Sequence, residues 1–188
     1  MDVRVLGPVE VSVDERPVAI GAGKPRALLA LLALNVGSAV SAERLIDGLW
    51  GERPPATAAK MVQVYVSQLR KALAAGGDGA EILTRAHGYE LRLGPGEVDV
   101  RRFERLVAAG APREALTLWR GAALDDLADA PFAAVEIRRL EELRLAAVEL
   151  AIDGDLAAGR HREVIGELEA MVAEEPLREH PLRVQVLA

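Results

Sequence analysis

The chain has 188 residues, 51% of them hydrophobic and 28% charged, which is ample for packed cores in one or two domains and rules out global disorder. Cysteine is absent, so disulfides, thiol catalysis, zinc ribbons and iron–sulfur centres are excluded. The net charge of −6 is uneven, −1 over residues 1–100 and −5 over 101–188, and an acidic total is unfavourable for a partner bound through phosphates.

Residues 1–20 alternate with period two. Val3 and Val5, then Val9, Val11 and Val13, read as two strands broken at Gly7-Pro8. Asp14–Pro17 reads as the next turn and Val18–Ile20 as a short third strand. From Pro25 the period becomes helical, and Leu28, Leu29, Leu31, Leu32 and Val36 predict a mostly buried helix stopped at Gly37. Ser41 is placed to cap a second helix that ends near Gly51. Glu52-Arg53-Pro54-Pro55 is a stiff loop, and a third helix spans Thr57 to about Ala75. Ile82–Arg85 and Tyr89–Leu93 predict a hairpin around Ala86-His87-Gly88.

Gly94-Pro95-Gly96 marks the expected boundary between domains 1–96 and 97–188, beyond which the pattern is helical. Asp99 can cap a helix ending at Gly110, and Pro112 opens another reaching Gly121. Asp125–Asp129 reads as an acidic connector. A long amphipathic helix then runs from Pro131 to near Gly159, followed by a helix over about 160–173 and a last one after Pro181. Ala108-Ala109-Gly110 with Arg113-Glu114-Ala115-Leu116 is echoed 49 residues later by Ala157-Ala158-Gly159 with Arg162-Glu163-Val164-Ile165. Recurring helix pairs of this kind are the unit of a helical solenoid; chance in an Ala- and Arg-rich chain is the plainer reading. The last segment is too short to bury its own apolar face, so the natural chain is expected to continue.

No catalytic constellation emerges. Gly21-Ala22-Gly23-Lys24-Pro25 is similar to the end of a phosphate loop, but Val18 stands where a further Gly is needed, and Pro25 where Ser or Thr would hold magnesium. His87, His161 and His180 are scattered, and the side chains of Glu141-Glu142 and Glu174-Glu175 diverge by about 100° on their helices. The expectation is a protein that is not an enzyme and carries no cofactor or metal. No apolar run reaches the ~18–20 residues of a membrane span, and the N-terminus lacks a signal-peptide layout, so a soluble cytoplasmic protein is expected.

The third helix stands apart. Placing residues every 100° puts Val66, Leu69, Leu73, Ala58 and Ala59 within about 60° of Val62, a buried stripe. The opposite face collects Thr57, Lys60, Gln63, Val64, Ser67, Gln68 and Lys71, with Arg70 on its flank and almost no acid. Val64 near the centre of that face suits contact with a thymine methyl in a major groove. An ordinary solvated face with one stray valine is the competing reading. Helices two and three form a helix-turn-helix, followed at once by a hairpin carrying Thr84, Arg85 and His87.

Strands, three helices and a hairpin wing resemble the OmpR-type winged helix-turn-helix. Val62-Gln63-Val64-Tyr65-Val66-Ser67-Gln68-Leu69-Arg70-Lys71-Ala72-Leu73 is similar to that family's recognition helix, and Thr84-Arg85-Ala86-His87-Gly88-Tyr89 to its wing. Arg26-Ala27-Leu28-Leu29 and the run Ser41 to Trp50 resemble its first two helices. Pro131-Phe132, Arg139 to Arg144 and Gly159 to Leu168 resemble the bacterial transcriptional activation domain, a helical-repeat module. Both halves in this order resemble the Streptomyces antibiotic regulatory protein family. The fold implied is an α+β winged helix-turn-helix domain followed by an all-α tetratricopeptide-like domain.

The resemblance implies a sequence-specific activator of secondary-metabolite genes that binds double-stranded promoter DNA at tandem repeats as a homo-oligomer and engages RNA polymerase holoenzyme. It implies DNA contacts from Lys60, Gln63, Val64, Ser67, Gln68, Arg70, Lys71, Thr84, Arg85 and His87. Arg70 and Lys71 would hold phosphates, which position a helix without reading sequence. Glu52 and Arg53, in a stiff exposed loop beside the DNA, are candidate polymerase contacts, with a plain connector as the alternative. The chain departs from the family's pattern in three places: Ala86-His87 replaces two prolines, Ser67-Gln68 is poor in arginine, and the repeat domain is short. No receiver domain is expected before the winged helix. The rival readings are a helical-repeat interaction adaptor with a vestigial winged helix, and a small-molecule sensor between helix pairs.

Overall fold

The computed structural model describes residues 1–77, 79–94, 97–161 and 164. These divide between two compact units, Met1–Val148 and Glu149–Ala188. The first opens with an antiparallel sheet of strands β1 (Asp2–Arg4), β2 (Glu10–Val13) and β3 (Arg16–Pro17). Val3, Val5, Val9 and Val11 are all buried, as the period of two predicts. The third strand lies earlier than expected. Asp14 and Glu15 both take positive φ, 47° and 64°, so a two-residue turn closes the hairpin at Val13 opposite Arg16; Val18 still donates its N–H to the Val11 carbonyl at 2.8 Å, while residues 19 and 20 fall outside the ladder.

Helix α1 (Lys24–Leu34) buries Ala27 through Ala33 continuously, consistent with its lack of a polar stripe. Strand β4 (Val40–Ser41) leads into α2 (Ala42–Trp50), where the Ser41 hydroxyl accepts from the Arg44 N–H at 3.1 Å, the expected cap. Helix α3 (Ala58–Ala75) follows the loop 51–57, and strands β5 (Ala80–Arg85) and β6 (Gly88–Leu93) form the wing. β4 pairs with β6, giving sheet order β4-β6-β5. Two residues are too few to show a period, so β4 left no sequence signal. Its pairing depends on Gly88: a Cβ there would lie 1.9 Å from the Val40 carbonyl oxygen.

After the hairpin, Val98 makes a parallel bridge to Val3, and α4 (Asp99–Ala108) and α5 (Pro112–Leu116) follow. α5 stops well before Gly121, and Leu118 and Trp119 continue as half-buried non-helical chain. A 3₁₀ turn occupies Asp125–Leu127, and α6 runs Ala133–Ala157, close to the expected end at Gly159. The expected helix after Pro181 lies outside the described residues, as do most of the one over 160–173 and Arg162, Glu163 and Ile165 of the second repeat copy.

One continuous core joins both sides of residue 96 in the first unit: Leu6, Leu28, Leu45, Leu69 and Leu91 cluster with Val98, Phe103, Leu124 and Leu140. Polar contacts reinforce it. The Asp99 carboxylate accepts the Val5 and Leu6 N–H groups at 2.9–3.0 Å, so it ties β1 to α4; the expected cap is instead the first residue of the helix, whose N-cap is Val98. Burial pushes the Asp99 carboxyl up, against the opposing pull of the Leu6 and Val5 N–H groups. The Arg120 guanidinium donates to the Pro8 carbonyl and pairs with Glu10. Asp126, expected in a mere connector, accepts the Val9 N–H at 2.8 Å and pairs with Arg26 at 2.7 Å. In the second unit, Gly159 at φ 78° ends the helix, and Arg160 pairs with Asp155 at 2.5 Å.

Candidate nucleic-acid interface

Helix α3 has the phase its sequence predicts. Ala58, Val62, Val66, Leu69 and Leu73 are buried. Ala59 is the exception: it is exposed. Thr57, Lys60, Gln63, Val64, Ser67, Gln68, Arg70 and Lys71 are all exposed, and Val64 presents 47% of its surface to solvent. Every side chain expected to read or hold DNA from this helix therefore lies on its open side. Lys60 and Lys71 have no ion-pair or hydrogen-bond partner among the described residues. Such ammonium groups are available for phosphates at no cost in broken internal pairs.

Arg70 is committed differently. Its Nε donates to the Ile82 carbonyl at 2.8 Å and its Nη2 to the Thr84 hydroxyl at 2.9 Å. The guanidinium thus bridges α3 to β5 and sets the distance between helix and wing. Thr84 is on the same bridge. Arg85 lies at the end of β5, and its Nε donates to the Glu90 carboxylate at 2.5 Å. His87 is exposed in the two-residue turn, with its backbone carbonyl accepting the Ala42 N–H at 2.9 Å, so the wing tip is fastened to the start of α2.

The loop after α2 leaves Glu52 and Arg53 exposed. It turns at Gly51, whose φ is 61° and whose absent Cβ would sit 3.5 Å from Pro131. The Phe132 N–H donates to the Gly48 carbonyl at 3.3 Å, so Pro131-Phe132 packs on the C-terminal end of α2. Lys24, in the segment similar to a phosphate loop, donates to the Leu49 carbonyl and lies 5.8 Å from the Trp50 ring, capping α2. Trp50 in turn stacks on Tyr65 of α3 at 6.3 Å, bracing the two helices.

Two site residues escaped sequence reasoning. Glu90 is buried and holds both Arg85 and, at 3.0 Å, Arg92. The Arg85 hydrogen bond, then that of Arg92, holds the Glu90 carboxyl below its ordinary range, while the Glu90 bond raises Arg85. Strand register was the available signal: Arg85 opposes Gly88 and Glu90 opposes Leu83, which places both charges on one face.

Residues 18–91 match the family described as transcriptional regulatory protein, C terminal, and residues 98–188 match the bacterial transcriptional activator domain. The regulatory protein DnrI of Streptomyces peucetius is 35% identical over 201 residues, an alignment covering 96% of this chain and 74% of DnrI. The chain belongs to the Streptomyces antibiotic regulatory protein family. Its first module is of the OmpR type, the DNA-binding half of these transcription activators, and a helical activator region follows. Regulatory protein AfsR of Streptomyces coelicolor is 38% identical, with 98% of this chain aligned but only 20% of AfsR. The solved structure of Mycobacterium tuberculosis EmbR in complex with a low affinity phosphopeptide superposes with a TM-score of 0.80 at 34% identity, covering 94% of this chain and 51% of that one. The chain thus spans about half of EmbR and a fifth of AfsR. These relatives are named as regulators, not enzymes, and among the described residues no helix is long and apolar enough to cross a membrane.

Proposed function

We propose that the chain is a cytoplasmic, sequence-specific activator that binds tandem repeats in double-stranded promoter DNA as more than one protomer, serves secondary-metabolite genes, and recruits RNA polymerase holoenzyme. Residues 1–96 act as the reader and 97–188 as the activation module. The observation that carries this reading is the open face of α3, where Lys60, Gln63, Val64, Ser67, Gln68 and Lys71 are exposed together and the two lysines are unpaired among the described residues.

Helix α3 enters the major groove. Gln63 and Gln68 offer paired donor and acceptor groups to base edges, Val64 meets a thymine methyl, and Lys60 and Lys71 hold phosphates on either side. The wing brings Arg85 and His87 to the adjacent minor groove, at a distance governed by the Arg70 bridge to Ile82 and Thr84. Glu52 and Arg53 face the polymerase from the exposed loop beside the DNA.

The test is fluorescence anisotropy on a duplex enriched from a random library and on its shuffled counterpart, across salt concentrations. The enriched duplex should bind about 10³-fold or more tightly, and both should weaken steeply with salt. Equal binding to the two duplexes, or none, would overturn the assignment.

A further inference from the structure

Hairpin register places Glu81, Arg85, Glu90 and Arg92 on one face of the wing, since Glu81 pairs with Arg92, Arg85 with Gly88, and Glu90 with Leu83. The side chain of Glu90 is 11% exposed, whereas Arg85 is 36% and Arg92 60% exposed. One carboxylate near the sheet therefore holds two outward arginines, through Arg85 Nε at 2.5 Å and Arg92 Nε at 3.0 Å. Glu81 shares the face but hydrogen-bonds neither arginine.

This arrangement bears on the DNA-binding reading, on which the following inference rests. An arginine free in solvent engages any phosphate it meets, and such contacts supply the affinity for irrelevant DNA. An arginine already paired at short range must exchange that partner for another. The exchange is favourable only where a second interaction, such as the narrow minor groove beside a correctly seated recognition helix, adds to the phosphate charge.

We propose that Glu90 is a specificity-determining residue: it withholds the wing arginines, Arg85 above all, from sequence-independent phosphate contact and releases Arg85 only on a matched site. Glu90 itself makes no contact with DNA and acts by positioning Arg85. What matters is the direct ion pair at Glu90, not the net charge of this face of the wing.

That distinction defines the experiment. Native chain, E90Q, E81Q and R85A are titrated with an enriched duplex and its shuffled version at several salt concentrations, with thermal unfolding of each variant alongside. One additional phosphate contact at 0.1 M salt corresponds to about 0.9 of a decade, roughly eightfold, in affinity, and steepens the salt slope by about 0.9. E90Q should show that gain on the shuffled duplex and a change of about twofold or less on the enriched one, so discrimination falls roughly fourfold or more. E81Q, which removes the same charge from the same face, should leave discrimination within about twofold of native. R85A should weaken the enriched duplex by roughly an order of magnitude while changing the shuffled duplex by about twofold or less, a result that does not depend on how well E90Q folds. Matching effects of E81Q and E90Q, or equal losses on both duplexes for R85A, overturn the role of Glu90 and leave DNA binding intact. A native chain that does not prefer the enriched duplex overturns the functional reading itself, and this inference with it.

Discussion

Replacing Asp99 by alanine removes the acceptor shared by the Val5 and Leu6 N–H groups, which are enclosed among fully buried residues. A buried amide left without a partner costs about 1–3 kcal/mol, so the two together cost roughly 2–6. Part is returned, because the variant no longer holds a carboxylate out of water. The expected net loss is about 2–4 kcal/mol at pH 7, which for a chain of this size lowers the melting temperature by roughly 4–16 °C. Asp99→Asn retains one acceptor oxygen and should lose about half as much. Urea unfolding followed by circular dichroism measures both. The pH dependence has a definite sign. Burial raises the folded-state carboxyl above its ordinary value, so the stability linked to its protonation is fully present below that ordinary value and is lost as pH rises through the folded pKa. The stability of the native chain relative to Asp99→Asn should therefore fall with increasing pH over that window. A difference that grows with pH, or an Asp99→Ala variant within about 0.5 kcal/mol of native, would refute this account of the carboxylate.

Lys71→Ala should weaken binding to every duplex alike and reduce the salt slope by about 0.9; an unchanged slope in anisotropy titrations would remove Lys71 from the phosphate contacts. Gly88→Ala would force a methyl to 1.9 Å from the Val40 oxygen, so β4 must separate from β6; urea unfolding should show a loss of about 1–3 kcal/mol, and hydrogen exchange should show loss of protection at the Ala42 amide held by His87. A fragment of residues 1–96 should fold with weak DNA binding but with a lower urea midpoint than residues 1–148, because it lacks Asp99, Phe103, Arg120 and Leu124; equal midpoints would show that the shared core contributes nothing.

Local periodicity carried far into this structure. The α3 stripe of Val62, Val66, Leu69 and Leu73, the Ser41 cap and the wing strands follow from spacing and residue type, which are properties of a single element. The misses concern relations between distant segments. Asp99 looked like a helix cap because only its neighbours in sequence were visible, yet its carboxylate serves amides more than ninety positions away. Asp126 looked like connector for the same reason, and β4 was too short to have a pattern. In the candidate site, exposure of Val64 and the lysines was legible from helical phase. The commitments of Arg70 to Ile82 and of Arg85 to Glu90 were not, because they depend on the register and placement of a hairpin.

The central claim, that the open face of α3 reads base sequence, is tested most directly by selecting duplexes from a random library with the native chain and with Val64→Ala, Gln63→Ala and Gln68→Ala. The native chain should enrich a repeated motif. Val64→Ala should retain stability within about 0.5 kcal/mol and relax the preference for thymine at one position by roughly 1–3 kcal/mol or less, with the glutamine variants altering neighbouring positions. Enrichment of the same motif by all four proteins, with equal strength at every position, would contradict readout through this face.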